Sequence, residues 1–214
     1  MVNVGVLLYA VNMQVQPRDA RLQSLLTRVS RAIETALRDE VTALELTPAQ
    51  AETLRFAGTI RPDVATVGQL ARVLGVRHTT ALGILRPLTE RGLIERQPHP
   101  FSARQHVLAL TDAGRTLLAR LDAVESEIAR AVSALTDDEA ASLDRGLSGI
   151  ARAFTEGGQL VVPAPCRGCI YFEMDAAFDA DAPHYCRFIR RSLTDAGSRM
   201  LCPEHQPAGL ESRS

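Results

Sequence analysis

The sequence predicts a mainly α protein with a small β-wing: a winged helix-turn-helix body with long dimerisation helices, and a short cysteine-rich C-terminal module. Three observations carry this reading. Residues 66–111 order themselves as helix, turn, helix and two extended runs, and long segments of three-to-four-residue apolar periodicity flank that unit on both sides. All four cysteines fall beyond a break at Gly157-Gly158, Pro163 and Pro165. The resulting plan is an N-terminal arm at 1–17, a body at 18–156, a linker at 157–165, a cysteine-rich tail at 166–206 and a disordered C-terminus at 207–214.

At 214 residues and 46% hydrophobic, the chain can bury a core and suits one domain with an appendage. All 24 basic residues are arginines, and no apolar run approaches the roughly 18 residues that a membrane span needs. The opening MVNVGVLLYAVN lacks the basic n-region and small-residue cleavage site of a secretory signal. It reads as a strand, an arm on a partner subunit, or an artefact of start-site choice, with Met13 as another possible initiator. The expected location is cytoplasmic.

Residues 18–44 form a long helical pattern, with Leu22, Leu25, Leu26, Val29, Ile33, Leu37, Val41 and Leu44 on one stripe and charged residues opposite. Thr47-Pro48 opens a second helix, a hydroxyl cap followed by proline at the first helical position, ending near Gly58. Thr66 caps a third, with Gln69 at the capping-box position and Val67, Leu70, Ala71 and Leu74 as its apolar face. Gly75 ends it in a left-handed cap. The fourth helix spans about 77–91 with Ala81, Leu82, Leu85 and Leu88 inward; Pro87 lies inside it, where a proline costs roughly 3 kcal/mol and predicts a kink. Leu93 and Ile94 begin a first strand, 97–104 a loop, and 105–110 a second strand. Thr111 caps one long helix to about Leu135, with Leu117, Leu118, Leu121, Val124 and Ile128 inward. Thr136-Asp137-Asp138-Glu139 opens the last helix, which carries Leu143, Leu147, Ile150 and Phe154, its acids suiting the helix dipole.

The outward face of the fourth helix holds Arg77, His78, Thr79, Thr80, Gly83 and Arg86, groups able to reach base edges and phosphates, and Arg104 is the natural minor-groove or phosphate contact at the wing. Between residues 61 and 104, seven arginines face three acids, a local net of +4 in a chain whose formal charge is −1. A solvated basic surface would have the same charge. The order of elements favours a reader of duplex DNA.

The segments LTPAQ at 46–50, TVGQLARVLGV at 66–76, TTALGILRPLTERGLIER at 79–96 and LALTDAG at 108–114 resemble the MarR family of bacterial transcription factors over roughly 18–154. The resemblance implies a homodimer whose terminal helices interlock, a pseudo-palindromic double-stranded DNA operator, and a possible small-molecule effector between reader and dimerisation region; a repressor is the expected regulator, with an activator left open. One departure concerns the wing, where the common Asp-Arg-Arg stands as Ser102-Ala103-Arg104 and only the last arginine is kept. A helical bundle within one chain is the competing reading of the long helices.

In the tail, Cys166, Cys169, Cys186 and Cys202 are spaced C-x2-C-x16-C-x15-C, with His184 and His205 nearby. A knuckle with two distant thiolates suits tetrahedral zinc, the first expectation as cofactor. An iron–sulfur cluster on the same thiolates is the alternative, and Cys202-Pro203 matches a cluster-ligating dipeptide. Free redox-active cysteines, or a histidine replacing one thiolate, are further options. The site is read as structural or sensory, and a tail this poor in periodic apolar residues would draw folding energy from the metal. No phosphate loop, G-x-G-x-x-G or H-E-x-x-H occurs, and Cys166-Arg167-Gly168-Cys169 lacks the βαβ context of a thiol oxidoreductase, so no enzyme is expected. Other readings are a thiol-based redox-sensing regulator and, in another class, a winged-helix protein–protein adaptor.

Overall fold

The computed structural model describes residues 17–123 and 126–207. The arm over 1–16 with its Met13, Val124, and residues 208–214 of the expected C-terminus lie outside them.

Local signals set most helix starts. Helix α1 (Arg18–Thr42) leads to α2 (Pro48–Thr59), whose cap Thr47 exchanges both hydrogen bonds of a capping box with Gln50. After a single 3-10 turn at Pro62–Val64, the Thr66 hydroxyl accepts from the Gln69 N–H and starts α3 (Val67–Val73). Gly75, at φ +64°, turns the chain into α4 (His78–Glu90). The helix runs on through Pro87 to Glu90, so the proline does not end it. Strands β1 (Ile94–His99) and β2 (Ser102–Leu110) pair antiparallel as the wing. Thr111 caps α5 (Asp112–Asp122), and α6 (Glu127–Ser133) and α7 (Asp137–Glu156) follow, the last opened by a Thr136–Glu139 capping box.

One core joins these elements. Leu54 of α2, Leu70 of α3, Leu88 of α4, Ile94 of β1 and Leu108 of β2 are all but fully buried and belong to a single cluster. Each such side chain contributes on the order of 1.5–3 kcal/mol by leaving water. Thr53 is buried with them, and its hydroxyl returns to the Ala49 carbonyl at 2.7 Å.

The structure corrects four expectations. The wing loop is far shorter than 97–104: Gln97 pairs with Val107, Pro98 with His106 and His99 with Ser102, which leaves 103–105 as a bulge in β2. The helix expected from 111 to 135 is two helices, α5 and α6. Glu40 of α1 accepts the Glu127 N–H at 2.9 Å, so a tertiary contact satisfies the start of the second piece. Leu82 is 37% exposed and does not join the inward stripe of α4. Gln69 does not close a capping box on Thr66, because its side-chain amide donates to Glu204 of the tail.

The linker residues lead to a small tail fold: β3 (Phe172–Glu173), β4 (His184–Cys186), β5 (Arg191–Leu193) in that sheet order, then α8 (Asp195–Arg199). Its own core is small, Cys166, Cys186 and Leu193 backed by Tyr171, Phe172 and Ile189. Among the described residues no helix is long and apolar enough to cross a membrane.

The start of α5 is locked to the start of β1. The Thr111 hydroxyl lies 2.6 Å from the Gly92 carbonyl and also accepts from the Gly114 N–H, and a Cβ on Gly114 would stand 2.0 Å from the Leu93 carbonyl oxygen. Gly114→Ala is therefore expected to cost about 3 kcal/mol in urea unfolding, the upper end for overpacking. Gly68→Ala in α3, whose added carbon meets only Thr66 Oγ1 at 3.8 Å, should instead gain up to about 1 kcal/mol of helix propensity.

Candidate nucleic-acid interface and thiol cavity

The N-terminal turn of α4 projects from the core. Arg77, His78, Thr79 and Thr80 are exposed, no acid lies in this first turn, and no side-chain cap consumes a hydroxyl. Gly83 and Arg86 continue the same exposed face, Arg86 paired with Glu90 one turn on at 3.3 Å. Both partners are largely solvated, so the pair holds Arg86 weakly and leaves it able to exchange Glu90 for a phosphate. Arg104 sits in the β2 bulge and is exposed. A bulge re-aims the side chains it carries. The six residues expected to face DNA are all exposed, Arg77 at the start of α4, His78, Thr79, Thr80 and Arg86 on it, and Arg104 on the wing.

Two arginines of the expected basic footprint are spent elsewhere. Arg61 is buried, with 4% of its side chain exposed, its Nε 2.5 Å from Asp63 Oδ1 and its Nη1 3.4 Å from Cys166 Sγ. Burial works against its charge, but the hydrogen bond and charge of Asp63, with help from the nearby thiols, hold its pKa above the ordinary value. Arg72 donates to Glu204 at 2.6 Å. Arg91 donates to the Glu45 carbonyl at 2.9 Å but stays exposed. The local charge available to a polyanion is therefore smaller than the count over 61–104, and it concentrates on α4 and the wing.

The tail is docked on the winged-helix body. Ile60 and Leu201 form a parallel bridge: the Arg61 N–H donates to the Leu201 carbonyl at 2.9 Å and the Leu201 N–H to the Thr59 carbonyl at 3.1 Å. Pro62 favours this by keeping Arg61 extended. Glu204 takes hydrogen bonds from Gln69 and Arg72 of α3, and Leu201 and Cys202 pack against the main core. At the wing, His99 Nε2 lies 2.8 Å from the Asp63 carbonyl, so that nitrogen carries the proton, and its Nδ1 accepts the Phe101 N–H. Arg191 of β5 stacks over the Phe101 ring at 3.8 Å.

All four cysteines line one cavity. Cys166 and Cys169 come from a turn in which the Cys169 N–H donates to the Cys166 carbonyl and Gly168 supplies φ +83°; Cys186 lies on β4, and Cys202 begins a second turn closed by the His205 N–H. Arg61, Val64, Tyr171, Phe172, Phe188, Ile189, Glu204 and His205 are also in its wall. All four thiols are free. Burial raises the pKa of Cys166 against the pull of Arg61, and pushes Cys202 up to about 11, so without a bound cation these two are neutral thiols. His184 is committed elsewhere: its Nδ1 accepts from the Asp175 N–H at 3.2 Å and its Nε2 lies 2.9 Å from Asp195. His205 is different. Its Nδ1 is buried without a hydrogen-bond partner among the described residues.

The residues that sequence reasoning missed are Arg61 as a tail anchor, with Asp63, His99, Arg191 and Glu204. Their partners lie up to 135 positions away, and only the Arg-Pro-Asp turn gave a local hint.

Residues 44–105 match the family model described as MarR family. Uncharacterized HTH-type transcriptional regulators of Mycobacterium tuberculosis and Mycobacterium bovis are 43% identical over 58 residues, 27% of this chain and 37% of each relative. The matched part is thus little more than a third of those relatives' length. Among solved structures, CouR from Rhodococcus jostii bound to p-coumaroyl-CoA is similar with a TM-score of 0.54 at 24% identity, over 63% of this chain and 94% of that one. An S. aureus MepR–DNA complex gives 0.55 at 21% identity, over 61% and 96%. A mutant MarR from E. coli complexed with operator DNA gives 0.51 at 26% identity, over 61% and 93%. The winged-helix body has the MarR fold, and the segment matched to the family ends before the tail.

Removing the guanidinium while Asp63 stays leaves a largely buried carboxylate unpaired. Arg61→Met is expected to destabilise the folded chain by about 3 kcal/mol in urea titration, and to open the tail to protease before the body. A tail equally protected in the variant would show that this contact does not dock it.

Proposed function

We propose that the chain is a sequence-specific DNA-binding transcriptional regulator of MarR type that acts as a homodimer and represses by occupying its operator. The exposed first turn of α4 carries this reading. It presents an arginine, a histidine and two threonines with no acid among them, on a helix braced by the core, beside a wing whose bulge presents Arg104. This is the geometry of a helix that enters a major groove while a wing reaches the adjacent backbone or minor groove.

Unpartnered apolar faces support the dimer. Leu22, Leu25, Leu26 and Val29 of α1 and Leu143, Leu147, Ile150 and Phe154 of α7 are all exposed, and α1 and α7 border one open groove. A second copy covering these faces would set two α4 helices on a two-fold axis, reading a pseudo-palindrome with half-sites about one helical turn apart. A groove of about 540 Å³ lined by Leu37, Glu40, Arg55 and Leu121, a volume in the range of ligand sites, supports a small-molecule effector. The tail holds a thiophilic metal on Cys166, Cys169, Cys186 and Cys202, zinc or an iron–sulfur cluster by the chemistry of the donors.

Anisotropy titration with duplex DNA should show binding that weakens steeply between about 50 and about 200 mM salt. Arg86→Ala is expected to lose about tenfold in affinity or more, and Arg104→Ala to weaken all duplexes alike and flatten the salt slope. Phe154→Asp with Leu147→Asp should sediment as a monomer and lose operator binding. A wild-type chain that ignores duplex DNA at low salt would leave the protein–protein adaptor as the better reading.

A further inference from the structure

The four thiols do not close on a point. Tetrahedral zinc at about 2.3 Å from each sulfur would bring the sulfurs to within about 3.8 Å of one another and leave nothing between them. Here no three histidine, cysteine, aspartate or glutamate side chains among the described residues gather closely enough to ligate one ion. Instead a cavity of about 10 Å³, with all four cysteines in its wall, separates the lining side chains, on the order of the room that one water-sized sphere needs.

A cluster uses four thiolates differently. Its irons are bridged by inorganic sulfide that fills the middle, so the protein sulfurs can stand apart. Val64, Tyr171, Phe172, Phe188 and Ile189 give the cavity apolar walls that exclude water. A cluster with four thiolates is an anion, and a cation and donors already face the sulfurs. The Arg61 guanidinium lies 3.4 Å from Cys166 Sγ, and the Gln206 N–H donates to Cys169 Sγ at 3.5 Å. As an N–H, the buried Nδ1 of His205 would find its missing acceptor in a sulfide or thiolate.

We infer that Cys166, Cys169, Cys186 and Cys202 ligate an iron–sulfur cluster, with Arg61 of the reader as its buried counter-cation. This rests on reading the tail as a soft-metal centre, and it names the occupant. Arg61 is a positioning residue. It also holds Asp63, whose carbonyl accepts from His99 on the wing, so the contact that neutralises the cluster is continuous with the wing's anchor. Loss of the cluster removes the anion from Arg61 and loosens that anchor, which weakens DNA binding.

The test uses the full chain purified without air, or rebuilt anaerobically with iron and sulfide. Near-equal iron and acid-labile sulfide with a broad visible absorption are expected, and both should vanish in Cys186→Ser. Zinc at one per chain without visible absorption, or no metal retained after rebuilding, would overturn the inference. Should the cysteine variant fail to fold, the iron and acid-labile sulfide of the unaltered chain decide alone; in Arg61→Gln, measured under conditions where its tail stays protected from protease, the cluster should reduce at a lower midpoint potential, with Arg61→Lys restoring much of the shift. An unmoved potential in Arg61→Gln would remove the counter-cation role. Salt-dependent DNA binding is measured on the same samples. Binding without a cluster would leave the reader standing and the inference failed, whereas a cluster-bearing chain blind to DNA would do the reverse.

Discussion

Arg61 is the group on which the arrangement of reader and tail depends. A guanidinium cannot shed its proton at any ordinary pH, so burying it obliges the fold to surround it with acceptors. Asp63 provides one from two residues away, and Cys166 provides the other from beyond the whole body. The backbone of the same residue donates to Leu201. Side chain and main chain therefore both tie the end of α2 to the tail, and neither contact can be given up without leaving a polar group stranded. A leucine in this position could have packed more cheaply. The charge makes sense where something negative is to be held opposite it.

This docking explains why charge that looks available for DNA is not. Arg72 and Gln69 lie on α3, the helix that braces the reader, and both are occupied by Glu204. The tail therefore occupies these two polar side chains of α3. On the wing it takes the Phe101 ring, through Arg191, and leaves Arg104 exposed. Long helices α1 and α7 add a third surface, whose exposed apolar side chains Leu22, Leu26, Ile150 and Phe154 line one groove.

What was legible in the sequence follows the range of each interaction. Thr47, Thr66, Thr111 and Thr136 all cap helices as their local patterns imply, because a cap is decided within four residues. Gly75 is left-handed for an equally local reason. The break between α5 and α6 was hidden because the apolar period continues across it, while the acceptor that satisfies the new start comes from Glu40. The wing strands outran their expected ends because cross-strand pairing carries Pro98 opposite His106. For the site, exposure of Arg77, His78, Thr79, Thr80, Arg86 and Arg104 followed from helix period and order. The roles of Arg61, Glu204 and His205 did not, since each exists only once the tail has folded onto the body.

The tail's own composition sharpens the last point. Its private core is three residues deep at most, and two of those three are cysteines, so the groups that would have to hold it together by packing are the same groups that chemistry would use as ligands. They surround a gap, with a guanidinium pressed against one of them and a buried ring nitrogen of the lining His205 without a partner among the described residues. As thiolates on a positive centre they would fill the gap, answer the guanidinium and give the ring nitrogen an acceptor. One bound group would answer all three. Arg61 touches both the cavity, at Cys166, and Asp63, whose carbonyl is bonded to His99 of the wing, so one side chain joins the thiol cavity to the turn that anchors the wing.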